Sequence, residues 1–373
     1  MFEGRPRDSC LVSTLFTMPT HQETKWSFSI STKRPFLNDD ESHETDRRHR
    51  KKIHKFLNLD GGGDGENGSS DSGSLIPGMN KDDSISCLLS CSRADYCSIA
   101  SVSRSLRALI RSGEIYRLRR LQGTLEHWVY FSCHLNEWEA FDPRSKRWMR
   151  LPSMPQNECF SYGEIAVLAG GCDSNGRILD TAEMYNSEDQ TWSVLPAMNK
   201  RRKMCSGVFM DGKFYVIGGI GVGEGNEPKV LTCGEEFDMK TRVWREIPDM
   251  SPPRSNQGNG MSAAAMAPPL VAVVNDQLYA ADHAGMAVRR YDKESRVWVQ
   301  VGSLPEQAGS MNGWGLAFRA CGDQVIVIGG PKAPGEGFIE LNSWVPSHGA
   351  PQWHLLGKKQ SVNFVYNCAV MSC

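Results

Sequence analysis

Histidine and cysteine are the residues of this chain best suited to metal ligation or nucleophilic chemistry, since imidazole and thiolate groups serve both. The 373 residues include nine histidines and twelve cysteines. No two cysteines form a CxxC pair, and no two histidines have one or three residues between them. The sequence therefore predicts no metal, no cofactor and no catalytic residue. We expect the densest thiol group, Cys87, Cys91 and Cys97, to serve packing.

A run of basic side chains, Asn199 to Lys203 (NKRRK), offers a different chemistry. Guanidinium groups pair with carboxylates through two parallel hydrogen bonds, so this run favours recognition of acidic groups. The whole chain is nearly balanced, with 42 basic and 43 acidic residues, and has no bulk preference for nucleic acid or anionic membranes. We expect neither of these partners, and no apolar run reaches the length of a membrane span.

The element that positions these residues is an internal repeat. Four strings run from an aromatic residue to a tryptophan seven residues later: Phe141–Trp148, Tyr185–Trp192, Phe237–Trp244 and Tyr291–Trp298. A fifth copy keeps only its tryptophan, Trp353, and successive tryptophans are 44, 52, 54 and 55 residues apart. A period of this size is typical of a repeat architecture.

Each repeat predicts four short antiparallel strands, because its apolar runs are brief and bounded by Gly, Pro, Asn and Asp. A Gly pair ends the second strand in three units, where a side chain would collide with a neighbour or force a strained turn. The Asp or Asn after the aromatic residue predicts a tight turn between the third and fourth strands. We expect the tryptophans to lie in the blade cores.

Residues 124–373 resemble the kelch repeat, with Gly-Gly, then Tyr-Asp, then Trp at these offsets. The resemblance implies a mainly β fold, a kelch-type β-propeller. Counting repeats gives about five blades, near residues 124–155, 156–198, 199–250, 251–305 and 306–360. A closing strand in residues 361–373 would complete the first blade and remove exposed sheet edges.

The join between the first two blades is short. Only seven residues, 156–162, separate Pro155 from the second strand of the next unit, where another join has thirteen. Kelch propellers that follow a helical module like the one at residues 74–121, described below, usually resemble six-bladed rings, whereas this sequence predicts five blades. Either a five-bladed ring closes with a thin second blade, or the ring is imperfect, and the sequence leaves both open.

Long loops concentrate on one face of the predicted propeller. The four strands of a blade are called a, b, c and d in the order of the repeat. In a four-stranded blade the b–c connections and the d–a connections to the next blade emerge on the same face, and here they are longer than the a–b and c–d turns. Recognition residues tend to lie on loops of a rigid scaffold, although the loops would equally serve as plain connectors. The predicted client-binding face comprises Lys200, Arg201, Arg202, Lys203, Lys229, Arg254, Asn256 and Asn312.

Residues 74–121 have helical periodicity and predict three short helices. An apolar-Pro start, the Asp82-Asp83 pair, a Cys-Leu-Leu helix and a Val-Ser-x-x-Leu-x-x-Leu-Ile run resemble an F-box. Leu106 stands where the family usually has Trp or Phe, and Arg104 replaces Lys. The residues alone also fit a small bundle that only packs on the propeller.

The F-box resemblance implies docking on the Skp-type linker of an SCF (Skp–cullin–F-box) ubiquitin ligase, and through it on a cullin-RING ligase. F-box followed by kelch is an arrangement abundant in plants. The resemblance implies a non-catalytic adaptor that captures an unknown client protein, with an interaction scaffold lacking a ligase role as the alternative. The predicted linker-binding surface comprises Leu75, Ile76, Pro77, Leu88, Leu89, Val102, Leu106 and Ile110.

Residues 1–73 have the composition of a disordered tail that ends in a Gly/Ser/Asp-rich linker. The basic run Arg47–Lys55, with Lys33 and Arg34 upstream, resembles a bipartite nuclear import signal and would otherwise be a solvated basic run. The sequence predicts a location in the nucleus, the cytoplasm or both, with reduced thiols.

Overall fold

A computed structural model of the chain describes residues 74–134, 137–151, 165–173, 175–186, 191–253, 267–306, 308, 313–331, 337–347, 349–365 and 367–372. The predicted tail and its basic run lie outside these residues, as do Arg254, Asn256 and Asn312. Of the described residues, those up to Leu88 belong to one compact unit and those from Leu89 onwards to another.

Four α-helices precede the strands: α1 Lys81–Ser90, α2 Tyr96–Val102, α3 Arg104–Arg111 and α4 Glu114–Gln122. The sequence predicts three, because its apolar faces fall within residues 85–89, 96–102 and 106–110, and α4 is the additional helix. The backbone breaks at Ser103, which is extended (φ −145°, ψ 160°) and accepts a 3.1 Å hydrogen bond from the Leu106 N–H. Ser103 is thus the N-cap that starts α3. Gly113, with φ of +78°, separates α3 from α4.

The start of α1 is fixed by Asn80. Its Oδ1 accepts a 2.8 Å hydrogen bond from the Asp83 N–H, and its Nδ2 donates to the Asp83 carboxylate at 2.7 Å. This reciprocal pair satisfies a backbone donor that a helix start leaves free. The cap is therefore Asn80, and the acidic residues Asp82 and Asp83 occupy the first turn. Among the described helices, none is long and apolar enough to cross a membrane.

Five sheets form the blades of the propeller. Blade 1 contains β1 His127–His134, β2 Glu137–Asp142, β3 Arg147–Arg150 and the C-terminal β21 Asn367–Ser372, and blade 2 contains β4 Ile165–Ala169, β5 Ala182–Asn186 and β6 Thr191–Leu195. Blade 3 contains β7 Ser206–Met210, β8 Lys213–Ile217, β11 Gly234–Asp238 and β12 Val243–Ile247, and blade 4 contains β13 Val271–Val274, β14 Gln277–Asp282, β15 Ala287–Asp292 and β16 Val297–Ser303. Blade 5 contains β17 Leu316–Cys321, β18 Gln324–Gly329, β19 Gly337–Trp344 and β20 His354–Ser361.

A small hairpin, β9 Ile220–Val222 with β10 Pro228–Val230, lies within blade 3's b–c connection. The mainly β fold with five blades is confirmed, and β21 pairs antiparallel with β1 as predicted. Blade 2 has three strands among the described residues, and the join at residues 156–162 lies outside them. The boundaries predicted for the tail, the F-box and the propeller stay predictions.

The repeat signature is a cross-strand pair. In blades 1 to 4 the aromatic residue of the third strand lies directly opposite the tryptophan of the fourth, for example Phe237 opposite Trp244. The paired ring centroids are 4.8 to 5.2 Å apart. The turn between them is held by the predicted Asp: Asp238 accepts from the Lys240 N–H at 2.8 Å, which lowers the pKa of the Asp238 carboxyl.

The Gly pairs have the predicted cause. Gly170 and Gly219 have φ of +73° and +97°. A Cβ at Gly170 would lie 2.3 Å from the Arg202 carbonyl oxygen, and one at Gly219 would lie 2.6 Å from the Lys203 carbonyl oxygen. Both glycines therefore make room for the backbone that connects blades 2 and 3, which is the basic run picked out by the sequence.

Candidate functional site

The predicted linker-binding residues divide by burial. Leu75, Ile76, Pro77 and Leu88 lie in the unit that ends at Leu88; Leu88 is buried, Pro77 is exposed and the other two are half-buried. In the second unit, Leu89 and Leu106 are buried, Ile110 is half-buried and Val102 is 76% exposed. The side chains of the buried members are covered, so Val102 and Pro77 are the members whose side chains are open to a partner.

The thiols in the helices are less buried than predicted. Cys87 and Cys97 are exposed and Cys91 is half-buried, so the expectation of core packing is wrong for the first two. In α1 the buried face is formed by Ser84, Ile85, Leu88 and Leu89, which leaves Cys87 outside it. Within the described ranges no three His, Cys, Asp or Glu side chains come close enough together to hold a metal ion.

Native-state alkylation at pH 8 is expected to modify Cys87 and Cys97 before Cys205 and Cys368. Burial raises the pKa of Cys205 and Cys368 to about 11, so these thiols are almost wholly protonated at pH 8. Since the thiolate is the nucleophile, we expect them to react at least about a hundredfold more slowly than the exposed pair. Mass spectrometry of iodoacetamide-treated native protein measures these rates, and equal rates would contradict the burial described here.

The second unit ties its helices to blade 1 through a buried ion pair. Arg119 of α4 donates from Nη2 to Glu126 Oε1 at 2.8 Å, and the two side chains are only 3% and 5% exposed. Arg119 Nη1 also donates to the Cys91 carbonyl at 2.7 Å and to the Tyr96 hydroxyl at 3.0 Å. Burial acts to lower the pKa of Arg119, but the bond to Tyr96 and the Glu126 charge outweigh it, and the pKa is raised.

Glu126 is the acceptor at the centre of this junction. It takes hydrogen bonds from the Arg93 N–H at 3.1 Å and from the Trp128 indole at 3.3 Å, besides that of Arg119. The Arg93 guanidinium lies 4.5 Å from the Trp128 ring centroid, a cation–π distance. Residues before and after α2–α4 therefore converge on the first strand of the propeller. The sequence analysis missed this junction, because its partners carry no repeat signal.

The basic run lies on the predicted loop face. Lys203 and Ile220 exchange backbone hydrogen bonds at 2.9 and 2.7 Å, and Lys229 lies opposite Gly221 in the β9–β10 hairpin. Lys203 and Lys229 thus lie on either side of β9. On the other face, the Asp211 N–H donates to Asp276 at 2.9 Å, which places a–b turns of adjacent blades together. The predicted division of the loops between two faces is confirmed for blades 3 and 4.

Arg202 has a different role from its neighbours. Its side chain is 0% exposed and pairs with Glu235, also 0% exposed, at 2.5 Å. Arg202 Nη1 also donates to the Gly218 carbonyl at 3.0 Å. Glu235 accepts in addition from the Asn199 N–H at 2.7 Å and the Lys200 N–H at 3.1 Å. Arg202 therefore fastens the loop to blade 3, and its side chain has no surface to offer a client.

The other predicted cations remain at the surface. Lys200 forms an ion pair with Glu246, and Arg201 Nε lies 3.6 Å from Asp180 Oδ2. Among the described residues no ion pair involves Lys203, which is half-buried, or Lys229, which is exposed. The two lysines are thus the cations of this cluster best able to pair with a carboxylate from outside. Arg254, Asn256 and Asn312 lie outside the described residues.

The fold defines a class of protein: a kelch-type propeller that follows a helical module. Comparisons with known proteins agree. The Kelch motif family matches residues 159–199 and 201–251. The F-box/kelch-repeat protein At1g26930 of Arabidopsis thaliana is 75% identical over 425 aligned positions that cover 100% of both chains.

Two further Arabidopsis thaliana proteins are similar. F-box/kelch-repeat protein SKIP11 is 58% identical, with 84% of this chain and 78% of that protein covered. F-box/kelch-repeat protein At1g74510 is 49% identical, with 78% of this chain and 77% of that protein covered. This chain belongs to the plant F-box/kelch-repeat protein family.

Proposed function

We propose that this chain is the substrate-recognition adaptor of an SCF-type ubiquitin ligase. The helices before the propeller bind a Skp-type linker protein, and through it a cullin-RING ligase. The loop face of the propeller binds a client protein. The chain itself does no bond chemistry; it raises the local concentration of the client and orients it toward the conjugating enzyme. The proposal also places the chain in the nucleus, the cytoplasm or both.

The observation that carries the linker half is the exposure of Val102. It is 76% exposed at the end of α2, although its neighbours Tyr96 and Leu106 are buried. An exposed β-branched apolar residue at a helix end adds nothing to the core of this chain, and family membership supplies a partner for it. Large apolar contacts at the centre of an interface carry much of the binding energy.

Replacing Val102 by aspartate is expected to abolish capture of a purified plant Skp-type linker protein. A carboxylate placed in an apolar interface has to lose its hydration without a partner, so we expect at least about a hundredfold weaker binding. The fold should be unaffected, because the side chain is already exposed. Affinity measured by titration calorimetry is the test.

The matched control is Val243→Asp, which changes a similarly exposed valine (59%) on an outer strand of blade 3. We expect this variant to bind the linker as the unchanged chain does. If Val102→Asp binds equally well, the linker surface assigned here is wrong. If the unchanged chain does not bind the linker at all, the alternative of an interaction scaffold without a ligase role is favoured.

The client half depends on the cluster of cations on the loop face. Charge reversal of Lys203 and Lys229 together should reduce the recovery of client proteins at least about tenfold, because Lys–carboxylate contacts would become repulsive. Affinity purification from plant cells under proteasome inhibition, followed by quantitative mass spectrometry, compares the variants. Lys146→Glu with Lys240→Glu, in c–d turns of the opposite face, is the control with the same charge change. Equal recovery by the two double variants would contradict the assignment.

A further inference from the structure

One contact between successive blades recurs in blades 3, 4 and 5. The indoles of Trp244, Trp298 and Trp353 donate to backbone carbonyls of the blade before them, at 2.8, 3.2 and 2.9 Å. The acceptors lie 48, 48 and 50 residues earlier in the chain. The side chain of Trp192, the corresponding residue of blade 2, is 40% exposed, whereas that of Trp244 is 7% exposed. The expectation that Trp192 lies in the core is wrong.

The strand of blade 2 that carries the aromatic residue of the repeat, β5, is also less buried than the corresponding strands of other blades. In β5 only the first of five residues is buried, whereas in β11 the first four are. The aromatic residue of the repeat is half-buried in blade 2, at Tyr185, but Phe237 and Tyr291 are 1% and 3% exposed. Blade 2 therefore buries the aromatic residues of its repeat less completely than blades 3 and 4 do.

Chain length gives an independent indication. The alignment with the Arabidopsis relative has 425 positions and covers all 373 residues of this chain, so 52 positions have no residue here. That number equals the distance from Trp192 to Trp244 and is close to the other full repeat spacings. The shortest spacing, 44 residues, falls between Trp148 and Trp192, at the short join.

We infer that this chain lacks one complete blade between Pro155 and Gly163 that its relative carries, and that blade 2 is consequently an uncovered blade beside a seam in the ring. Each blade contributes one b–c and one d–a connection to the loop face. If the proposed function holds, this chain therefore presents a client surface one blade smaller than that of its relative, while the helices and blade 1 are unchanged.

The first test uses the unchanged chain. Amide hydrogen exchange measured by mass spectrometry should show β4–β6 exchanging at least about tenfold faster than β7, β8 and β11, since protection follows local stability. Equal protection of the two blades would overturn the inference. The readout involves no partner, so it succeeds or fails independently of the proposed ligase role.

The second test restores the missing repeat. A 52-residue blade taken from the relative and inserted between Pro155 and Gly163 should slow exchange in β4–β6 at least about tenfold. The same segment inserted after Pro305, at the join of blades 4 and 5, should instead speed exchange in the neighbouring blades. A stabilising effect at both joins, or at neither, would overturn the inference.

Discussion

Replacing Glu235 by alanine is expected to lower the free energy of unfolding by about 3–5 kcal/mol, because it leaves the Arg202 guanidinium buried without a counter-charge. The loss also frees the Asn199 and Lys200 N–H groups that Glu235 satisfies. Chemical denaturation followed by tryptophan fluorescence measures the change. We expect the loop that carries the basic cluster to loosen first, because Glu235 holds both of its ends.

Glu246 provides a closely matched control. It lies directly opposite Glu235 in the β11–β12 pair and forms an ion pair with Lys200, but its side chain is 37% exposed. Glu246→Ala should cost no more than about 1 kcal/mol, since exposed pairs are well solvated. A double change of Arg202 to methionine and Glu235 to leucine should recover part of the lost stability, because it leaves no buried charge unpaired, although the Asn199 and Lys200 N–H groups still lack their acceptor. Similar losses for the two alanine variants would contradict the role given to Glu235.

Glu126→Ala is expected to have an effect of similar size at the junction between the helices and blade 1, about 3–5 kcal/mol. It leaves the Arg119 guanidinium buried and removes the acceptor of the Trp128 indole. Hydrogen exchange should therefore accelerate in α2–α4 and in β1 together, ahead of the other strands. If this junction fixes the position of a client bound to the propeller relative to the ligase bound to the helices, the same variant should bind the linker yet slow client ubiquitination.

The control for this prediction crosses the same junction. Asp95 and Arg147 approach to 3.9 Å between the helical segment and blade 1, with 57% and 58% of their side chains exposed. Asp95→Ala should change stability by less than about 1 kcal/mol. Equal acceleration of exchange in the two variants would show that the buried pair does not couple the helices to the propeller.

The strand order and register of the propeller could be predicted because its signal is local and repeated. An aromatic residue and a tryptophan seven positions apart, with Asp between them, can face each other only across a tight turn, as Phe237 and Trp244 do. The closing strand could be predicted because the sequence has no strand-like run for the first blade before the one at His127–Cys133, so the blade needs a strand from elsewhere in the chain. The Gly pairs were predictable because a neighbouring backbone leaves no room for a Cβ.

The roles of individual charges could not be predicted, because they depend on partners far apart in the chain. Arg202 stands in a run of four basic residues, and only its contact with Glu235, 33 residues later, distinguishes it from Arg201. A signal was present: an acidic residue precedes the aromatic residue by two positions in three units, at Glu139, Glu183 and Glu235. Glu139 likewise pairs with Lys359 of blade 5.

The helices were harder to predict than the strands because they occur once. Ser103 starts α3 through a capping bond that spacing alone does not reveal, and the sequence likewise does not mark Val102 as exposed. The Arg119–Glu126 pair joins α4 to the residue before β1, where no motif points. Features that depend on a single tertiary contact have no second copy in the sequence to mark them.

The measurement that tests the central claim most directly is the mass of the complex formed when this chain is mixed with a purified Skp-type linker and a cullin. Mass photometry should find one copy of each, with the assembly reduced to linker and cullin alone when Val102→Asp replaces the unchanged chain. A mixture in which the unchanged chain stays separate from the linker and cullin would contradict the account.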